Sequence, residues 1–266
     1  RIRISRNPFT QIPMYGHTYT DTISVEVQAL RQLDEQHISV YTEEQGYIIL
    51  NLHNLNGEER YSKMDSPDQW PQDPIWSTTL ADQYKGNLAF EQELAGVHIF
   101  LEDSRGGLWL GKGQSLFHIS PNETSAYKVE QFEQNNQNPT SLKGMHVTGL
   151  AEDRDGKIWV STFDALNRYN AEDQSFTYFS MKDGLPGNAI SGMLIDDNNF
   201  LWLATDNGLA RFDPVYETTM TYSAADGLPF HEFCLRVGYG MEDFQSMPAS
   251  IKLTDGRMLF SSIRSG

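Results

Sequence analysis

Seven histidines, one cysteine and several acid-rich turns are the residues of this chain that could carry chemistry. The histidines are His17, His37, His53, His98, His118, His146 and His231. A zinc-peptidase helix needs two histidines four residues apart, with a Glu beside the first. His231-Glu232 is followed by Phe233-Cys234-Leu235, so the second histidine is missing. Asp153-x-Asp155-Gly156 and Asp196-Asp197-Asn198-Asn199 offer oxygen ligands of the calcium type. A calcium loop also needs a bidentate Glu at its twelfth position and a glycine at its sixth. Counted from Asp153, the twelfth residue is Asp164 and the glycine is misplaced, so a hairpin turn explains these residues better. No G-x-S-x-G elbow occurs to present a serine nucleophile. Cys234 lies among apolar neighbours and reads as a buried, inert thiol. As the single cysteine it excludes an internal disulfide and a cysteine-built metal site. The expectation is no catalytic residue, no metal and no cofactor.

Two places differ from this background. His231, Glu232, Arg236 and Tyr239 follow one Asp-Gly-Leu-Pro turn and could together line a pocket. Trp70 and Trp76 lie in a segment without repeat character and could stack on sugar faces. These six are the candidate ligand-binding residues.

The elements that must position them are strands. Leu101–Pro121, Ala151–Ala171 and Leu194–Pro214 align as three copies of one unit. Each has an acid (Asp103, Asp153, Asp196) six residues before a Trp (Trp109, Trp159, Trp202), and a second apolar run follows. The Trp residues are 50 and 43 residues apart. Glu43–Leu52 and Thr254–Ser262 read as degenerate copies, with Ile49 and Leu259 in place of the Trp. A period of this length, built from short strands and Gly-containing turns, indicates an all-β propeller of four-stranded antiparallel blades. In the second copy the strands fall at 147–151, 158–162, 166–169 and 176–179, with the Trp buried between neighbouring blades. The Asp-Gly-Leu-Pro tetrapeptides at 183–186 and 226–229 read as turn punctuation. The organisation expected is divergent blades over 1–96, with an irregular insertion of outer strands or loop at 61–96, then regular blades over 97–266.

Charge narrows the partners. The chain has 266 residues, with 20 Lys and Arg against 36 Asp and Glu, a net −16. That surface repels phosphate backbones and anionic lipid, so neither nucleic acid nor direct membrane contact is expected. No run approaches the ~18 apolar residues of a membrane span. The first residue is Arg1 and the last strand-like run ends near Gly266, which suggests an excised piece of a longer protein.

Residues 138–162 and 183–214 resemble the two-component-regulator propeller repeat, and 226–240 followed by 254–262 resembles the last blade of that family. The resemblance covers about 97–266 well and 1–96 faintly. It implies blades of a ring of about seven, in the extracytoplasmic, periplasmic sensor region of a membrane signalling protein. The output domain would be a histidine kinase, often hybrid, or a diguanylate cyclase. An immunoglobulin-like domain would adjoin in the same chain, a small molecule or oligosaccharide would be the ligand, and there is room for a homodimer through the full-length protein. The fragment itself is expected to be non-catalytic. Two other functions stay open: a streptogramin-lyase-like enzyme, suggested by the Gly-Lys-Ile-Trp-Val-Ser-Thr strand at 156–162, and a protein-binding scaffold.

Overall fold

The computed structural model describes residues 27–32, 35–42, 46–51, 61–63, 78–122, 127–228, 233 and 250–260. Within these, strands follow one another in simple antiparallel meanders. Sheet 1 comprises β1 (Val27–Gln32), β2 (His37–Thr42), β3 (Gly46–Asn51) and β4 (Tyr61–Lys63). Two short helices follow, α1 (Thr79–Gln83) and α2 (Leu88–Leu94). Sheet 2 is β5 (Val97–Glu102), β6 (Leu108–Lys112), β7 (Ser115–Pro121) and β8 (Tyr127–Phe132). Sheet 3 is β9 (Val147–Glu152), β10 (Ile158–Thr162), β11 (Leu166–Asn170) and β12 (Ser175–Phe179). Sheet 4 is β13 (Ile190–Ile195), β14 (Leu201–Thr205), β15 (Gly208–Asp213) and β16 (Thr218–Tyr222). Sheet 5 has two described strands, β17 (Ser250–Lys252) and β18 (Met258–Phe260).

These sheets are propeller blades. Their first strands lie side by side, β5 with β9, β9 with β13, β13 with β17 and β17 with β1. The first strand is therefore the innermost of each blade, and blade 1 stands beside blade 5. Burial follows from alternation, because successive side chains of a strand face the two neighbouring blades. The central strand β10 is buried along its whole length, with Trp159 and Val160 inaccessible to solvent. Trp159, Phe179, Met193, Leu203 and Phe212 form one core between blades 3 and 4. Trp109, Val147, Val160 and Phe176 form another between blades 2 and 3.

The inner strands approach so closely that a side chain cannot always fit. A Cβ built on Gly149 would lie 2.5 Å from Ser161 Oγ and 3.0 Å from the Met193 backbone nitrogen. Helices α1 and α2 cover the face of blade 2 turned away from blade 3, where Leu80, Ala81, Phe90 and Leu94 pack on Leu108, Leu110 and Ile119. Helix α2 starts at Asn87, whose side chain accepts from the amides of Ala89 and Phe90. Helices at this point differ from the expected strands or loop. Their apolar residues pack onto a finished sheet, and tertiary packing of that kind overrides a weak local pattern.

The strands of blade 3 match the expected positions within one residue, and Leu259 lies on a second strand as anticipated. Ile49 does not. It lies on β3, the third strand of blade 1, while the second-strand position there belongs to β2. A turn beside an apolar run marks a strand pair without saying which pair of the blade it is.

Candidate functional site

Antiparallel connection puts the turns between first and second strands at one end of the array of blades. The segments joining successive blades lie at the other. The first end is a belt of polar contacts between blades. Glu152 accepts from the backbone N–H and hydroxyl of Ser104 at 2.7 and 2.5 Å. Arg154 donates its backbone N–H to Asn199 at 2.9 Å and its guanidinium to the Asp197 carbonyl. Lys252 pairs with Asp197 at 2.6 Å, and Gln32 and Thr254 bond each other in both directions at 3.0 and 2.9 Å. The belt runs from blade 2 through blades 3, 4 and 5 to blade 1.

The acid six residues before each Trp has a definite task. Asp153 Oδ2 accepts the Trp159 indole N–H at 2.8 Å, and Oδ1 accepts the amides of Asp155 and Lys157. Asp103 and Asp196 do the same for Trp109 and Trp202, each at 2.9 Å. One carboxylate thus closes the turn and satisfies a buried indole, which in the wall of a blade has no water to bond. The carboxylates suspected of calcium binding are committed to N–H donors. Sequence reasoning saw the spacing but missed the bond, although an acid and a Trp six apart in three copies was the signal for it.

The residue opposite each Trp on the third strand is His118, Arg168 or Arg211. His118 stacks on Trp109 with ring centroids 4.1 Å apart and interplanar angle 13°. Its Nε2 lies 3.5 Å from Asp103 and its Nδ1 3.6 Å from Glu130, too far for close hydrogen bonds. Burial would raise the Asp103 carboxyl. The neighbouring imidazole, the Gly107 and Arg105 amides and the Trp109 indole outweigh burial and hold it well below the usual carboxylate range. Glu130 is also lowered: burial opposes, and Lys128, His118 and Gln174 prevail. This is the histidine–carboxylate cluster nearest to an active-site arrangement among the described residues. Its three residues all belong to blade 2, and Gln174 and Tyr169 of blade 3 close over Glu130 and Trp109, which suits a frame rather than a substrate.

At the blade-joining end, His98, Thr148 and Ser191 hold the second positions of β5, β9 and β13. His98 and Thr148 bond the carbonyls that open the next inner strands, and Ser191 bonds a carbonyl in the segment after blade 4. His98 Nε2 donates to Val147 at 2.8 Å, Thr148 to Ile190 at 2.6 Å and Ser191 to Phe233 at 2.7 Å. Burial lowers the His98 pKa, the Val147 carbonyl opposes this, and His146 nearby lowers it further. His146 takes a left-handed backbone (φ 58°) and faces Phe163, ring centroids 6.0 Å apart. Asp206 Oδ1 is enclosed at the same end and accepts no hydrogen bond among the described residues. The Asp-Gly-Leu-Pro turns are structural: Asp183 and Asp226 close capping boxes with Ser180 and Ser223, and Gly184 and Gly227 have φ of 96° and 93°.

Trp70, Trp76, His231, Glu232, Arg236 and Tyr239 lie outside the described residues, as does Cys234. A lyase-like centre would need His and Glu converging from different blades. His118 and Glu130, 3.6 Å apart, belong to the same blade, and among the described residues no three His, Cys, Asp or Glu side chains gather as metal ligands. No described helix is long and apolar enough to cross a membrane.

Residues 141–164 and 184–207 match the family described as two component regulator propeller. The chain carries two-component regulator propeller repeats. The matched stretches run from the approach to β9 through the turn after β10, and from before β13 through the turn after β14, so each takes in an Asp–Trp pair. No curated protein sequence matches the chain. Among solved structures, the extracellular domain of the hybrid two component system BT3049 of Bacteroides thetaiotaomicron is similar, at 17% identity and TM-score 0.49. That likeness covers 90% of this chain and 27% of the other, so the chain spans about a quarter of its length. The extracellular domain of BT4673 from the same organism gives 13% and 0.43, over 92% and 32%. Virginiamycin B lyase of Staphylococcus aureus gives 12% and 0.43, over 90% and 64%.

Proposed function

We propose that this chain is part of the periplasmic sensory propeller of a membrane-bound two-component signalling protein, acting by binding rather than catalysis. The observation that carries this reading is the family match on blades 3 and 4. It is supported by where the reactive side chains of the repeats are committed: the acids to indoles and turn amides, His98 to an inter-blade carbonyl. The ligand is a small molecule or oligosaccharide, or else a neighbouring domain, met where the copies diverge, at 61–96 and 230–248. Trp70 and Trp76 supply stacking faces; His231, Glu232, Arg236 and Tyr239 supply polar contacts. The ring of about seven blades adjoins an immunoglobulin-like domain, and a kinase or diguanylate cyclase is the output, working as a homodimer. Ligand must bind one signalling state better than the other, since equal affinity shifts nothing.

The test uses the full-length protein in membranes, with output activity read against a panel of oligosaccharides and small metabolites. A ligand that changes output, with the effect lost on excising the propeller, supports the reading. Unaltered output after excision, with no ligand detected by calorimetry, overturns it.

A further inference from the structure

The position opposite each blade Trp on the third strand holds a base, and blade 2 fills it differently from its neighbours. Blades 3 and 4 put Arg168 and Arg211 there, and blade 2 puts His118. Arg168 and His118 both lie against the Trp of their own blade. An Arg is always charged, whereas an imidazole ordinarily gains or loses its proton between about pH 5 and 8.

His118 is held between two acids. Nε2 faces Asp103 at 3.5 Å and Nδ1 faces Glu130 at 3.6 Å, and neither nitrogen makes a closer hydrogen bond among the described residues. The side chains of His118, Asp103 and Glu130 are 15%, 8% and 17% exposed. A Cβ on Gly107 would lie 2.5 Å from Nε2, so the backbone closes that side of the ring. A neutral imidazole has one N–H and one lone pair, and between two carboxylates it must aim the lone pair at one of them. The protonated ring aims an N–H at both. Both carboxyls are held below the usual carboxylate range, so they keep their charge while the ring takes up its proton. The other charged group of β8 is Lys128, which donates to Glu130 at 2.8 Å. From blade 3 the facing groups are Asp173 and Tyr169, whose ionisation is pushed up by burial, by Glu130 and by Asp173.

Glu130 is also where blade 3 takes hold, since it accepts from Gln174. Gln174 has the left-handed turn position that Glu217 has one blade later, φ 56° and 54°. Glu217 accepts from Arg168 at 2.5 Å, so that junction sets a carboxylate of the following blade on a permanent cation. At the earlier junction the carboxylate belongs to blade 2 itself and faces the imidazole.

We propose that His118 is a proton-operated clasp between blades 2 and 3. The imidazolium bridges Asp103 and Glu130 and holds Glu130 toward Gln174. Loss of the proton lets Glu130 turn to Lys128 and solvent, and the junction loosens. Its stabilisation is present at the acid end of the range and is lost as pH rises. The junction built on Arg168 and Glu217 keeps its ion pair across the same range. The clasp does not depend on what the propeller binds.

The test compares the 266-residue chain with its His118→Gln and His118→Arg variants at about pH 5.5 and 8. The readouts are the melting temperature and the hydrogen exchange of the Trp109 indole N–H, which Asp103 accepts at 2.9 Å. That signal is assigned with a Trp109→Phe variant and referred to the Trp159 indole of the same protein. All other histidines and acids are common to the three proteins, so their differences isolate position 118. From acid to alkaline pH the parent should lose about 2 °C or more relative to His118→Arg, with a relative gain in Trp109 exchange. His118→Arg should behave as the acid state at both pH values, and His118→Gln as the alkaline state at both. Gln174→Ala, an exposed change that leaves the cluster in place, should lower the melting temperature at acid pH and not at alkaline pH. Arg168→Gln should leave the parent's pH difference as it is. A pH difference that persists in full in His118→Gln overturns the proposal, as does an equal cost of Gln174→Ala at both pH values.

Discussion

Replacing Asp153 by Asn tests whether the acid–Trp pair holds the blade wall together. The amide oxygen can still accept from the Asp155 and Lys157 amides, which lie 2.9 and 3.0 Å from Oδ1. The other side of the group changes sign. Where Oδ2 accepted the indole N–H at 2.8 Å, Asn presents an N–H to an N–H, with Asp153 6% and Trp159 0% exposed. A hydrogen bond to a charged group contributes about 1.5–3 kcal/mol, and a stranded buried donor costs about 1–3 kcal/mol. Asp153→Asn should therefore destabilise by roughly 2–4 kcal/mol. In a Trp159→Phe background the indole donor is gone, and the same change should cost about 1 kcal/mol, from weaker turn bonds alone. The coupling is then about 2 kcal/mol in a double-mutant cycle, well above the scatter for independent sites. Urea unfolding of the four proteins, followed by far-UV circular dichroism, measures it. Equal costs of Asp153→Asn in both backgrounds would refute the reasoning, and the acid would then be a turn former only.

Further outcomes follow from the same geometry. Asp103 has a folded pKa depressed below its unfolded value of about 3.9, so its stabilisation is full above that value and declines as pH falls through it. Asp103→Asn should flatten the acid limb of a melting-temperature profile below about pH 4.5. His98 has a lowered pKa, so the unfolded chain binds its proton first as pH falls below about 6.5. His98→Asn should reduce the loss of stability between about pH 6.5 and 5, read by the same profile. Gly149→Ala should cost about 1–3 kcal/mol in urea unfolding; adding Ser161→Ala should not restore it, because the Met193 backbone remains in the way. Arg168→Gln removes an ion pair whose Glu217 side is 43% exposed, so the loss should stay under about 1 kcal/mol and fade in high salt.

What the sequence disclosed follows from what repetition can encode. The strands of blade 3 were legible because alternation and a Gly turn recur at fixed offsets around Trp159, and Gly156 takes φ 75° where the turn was expected. Ile49 was misplaced because a lone apolar run carries no mark of strand number. Helices α1 and α2 were missed because each is short and held by contacts with Leu108, Leu110 and Ile119, which lie later in the chain. The carboxylate–indole bonds were half visible: spacing gave the acid and the ring, but the bond itself depends on how the tight turn folds Oδ2 back to Nε1. Gln32 and Thr254 meet from opposite ends of the chain, and no local pattern announces such a pair. Trp70 and Trp76 came from a segment without repeat character, and His231, Glu232, Arg236 and Tyr239 from the stretch after the second Asp-Gly-Leu-Pro turn; all six lie outside the described residues.

The bonds from His98, Thr148 and Ser191 give the array a polarity. In these bonds blades 2, 3 and 4 donate forward along the chain, so the contact is heterologous: its two surfaces differ. Such a contact can join any number of units, and ring size is then fixed by the angle accumulated between blades rather than by the junction chemistry. Duplication or loss of one unit leaves every surviving junction chemically intact. The lineage of this chain could therefore change its blade count without inventing a new interface.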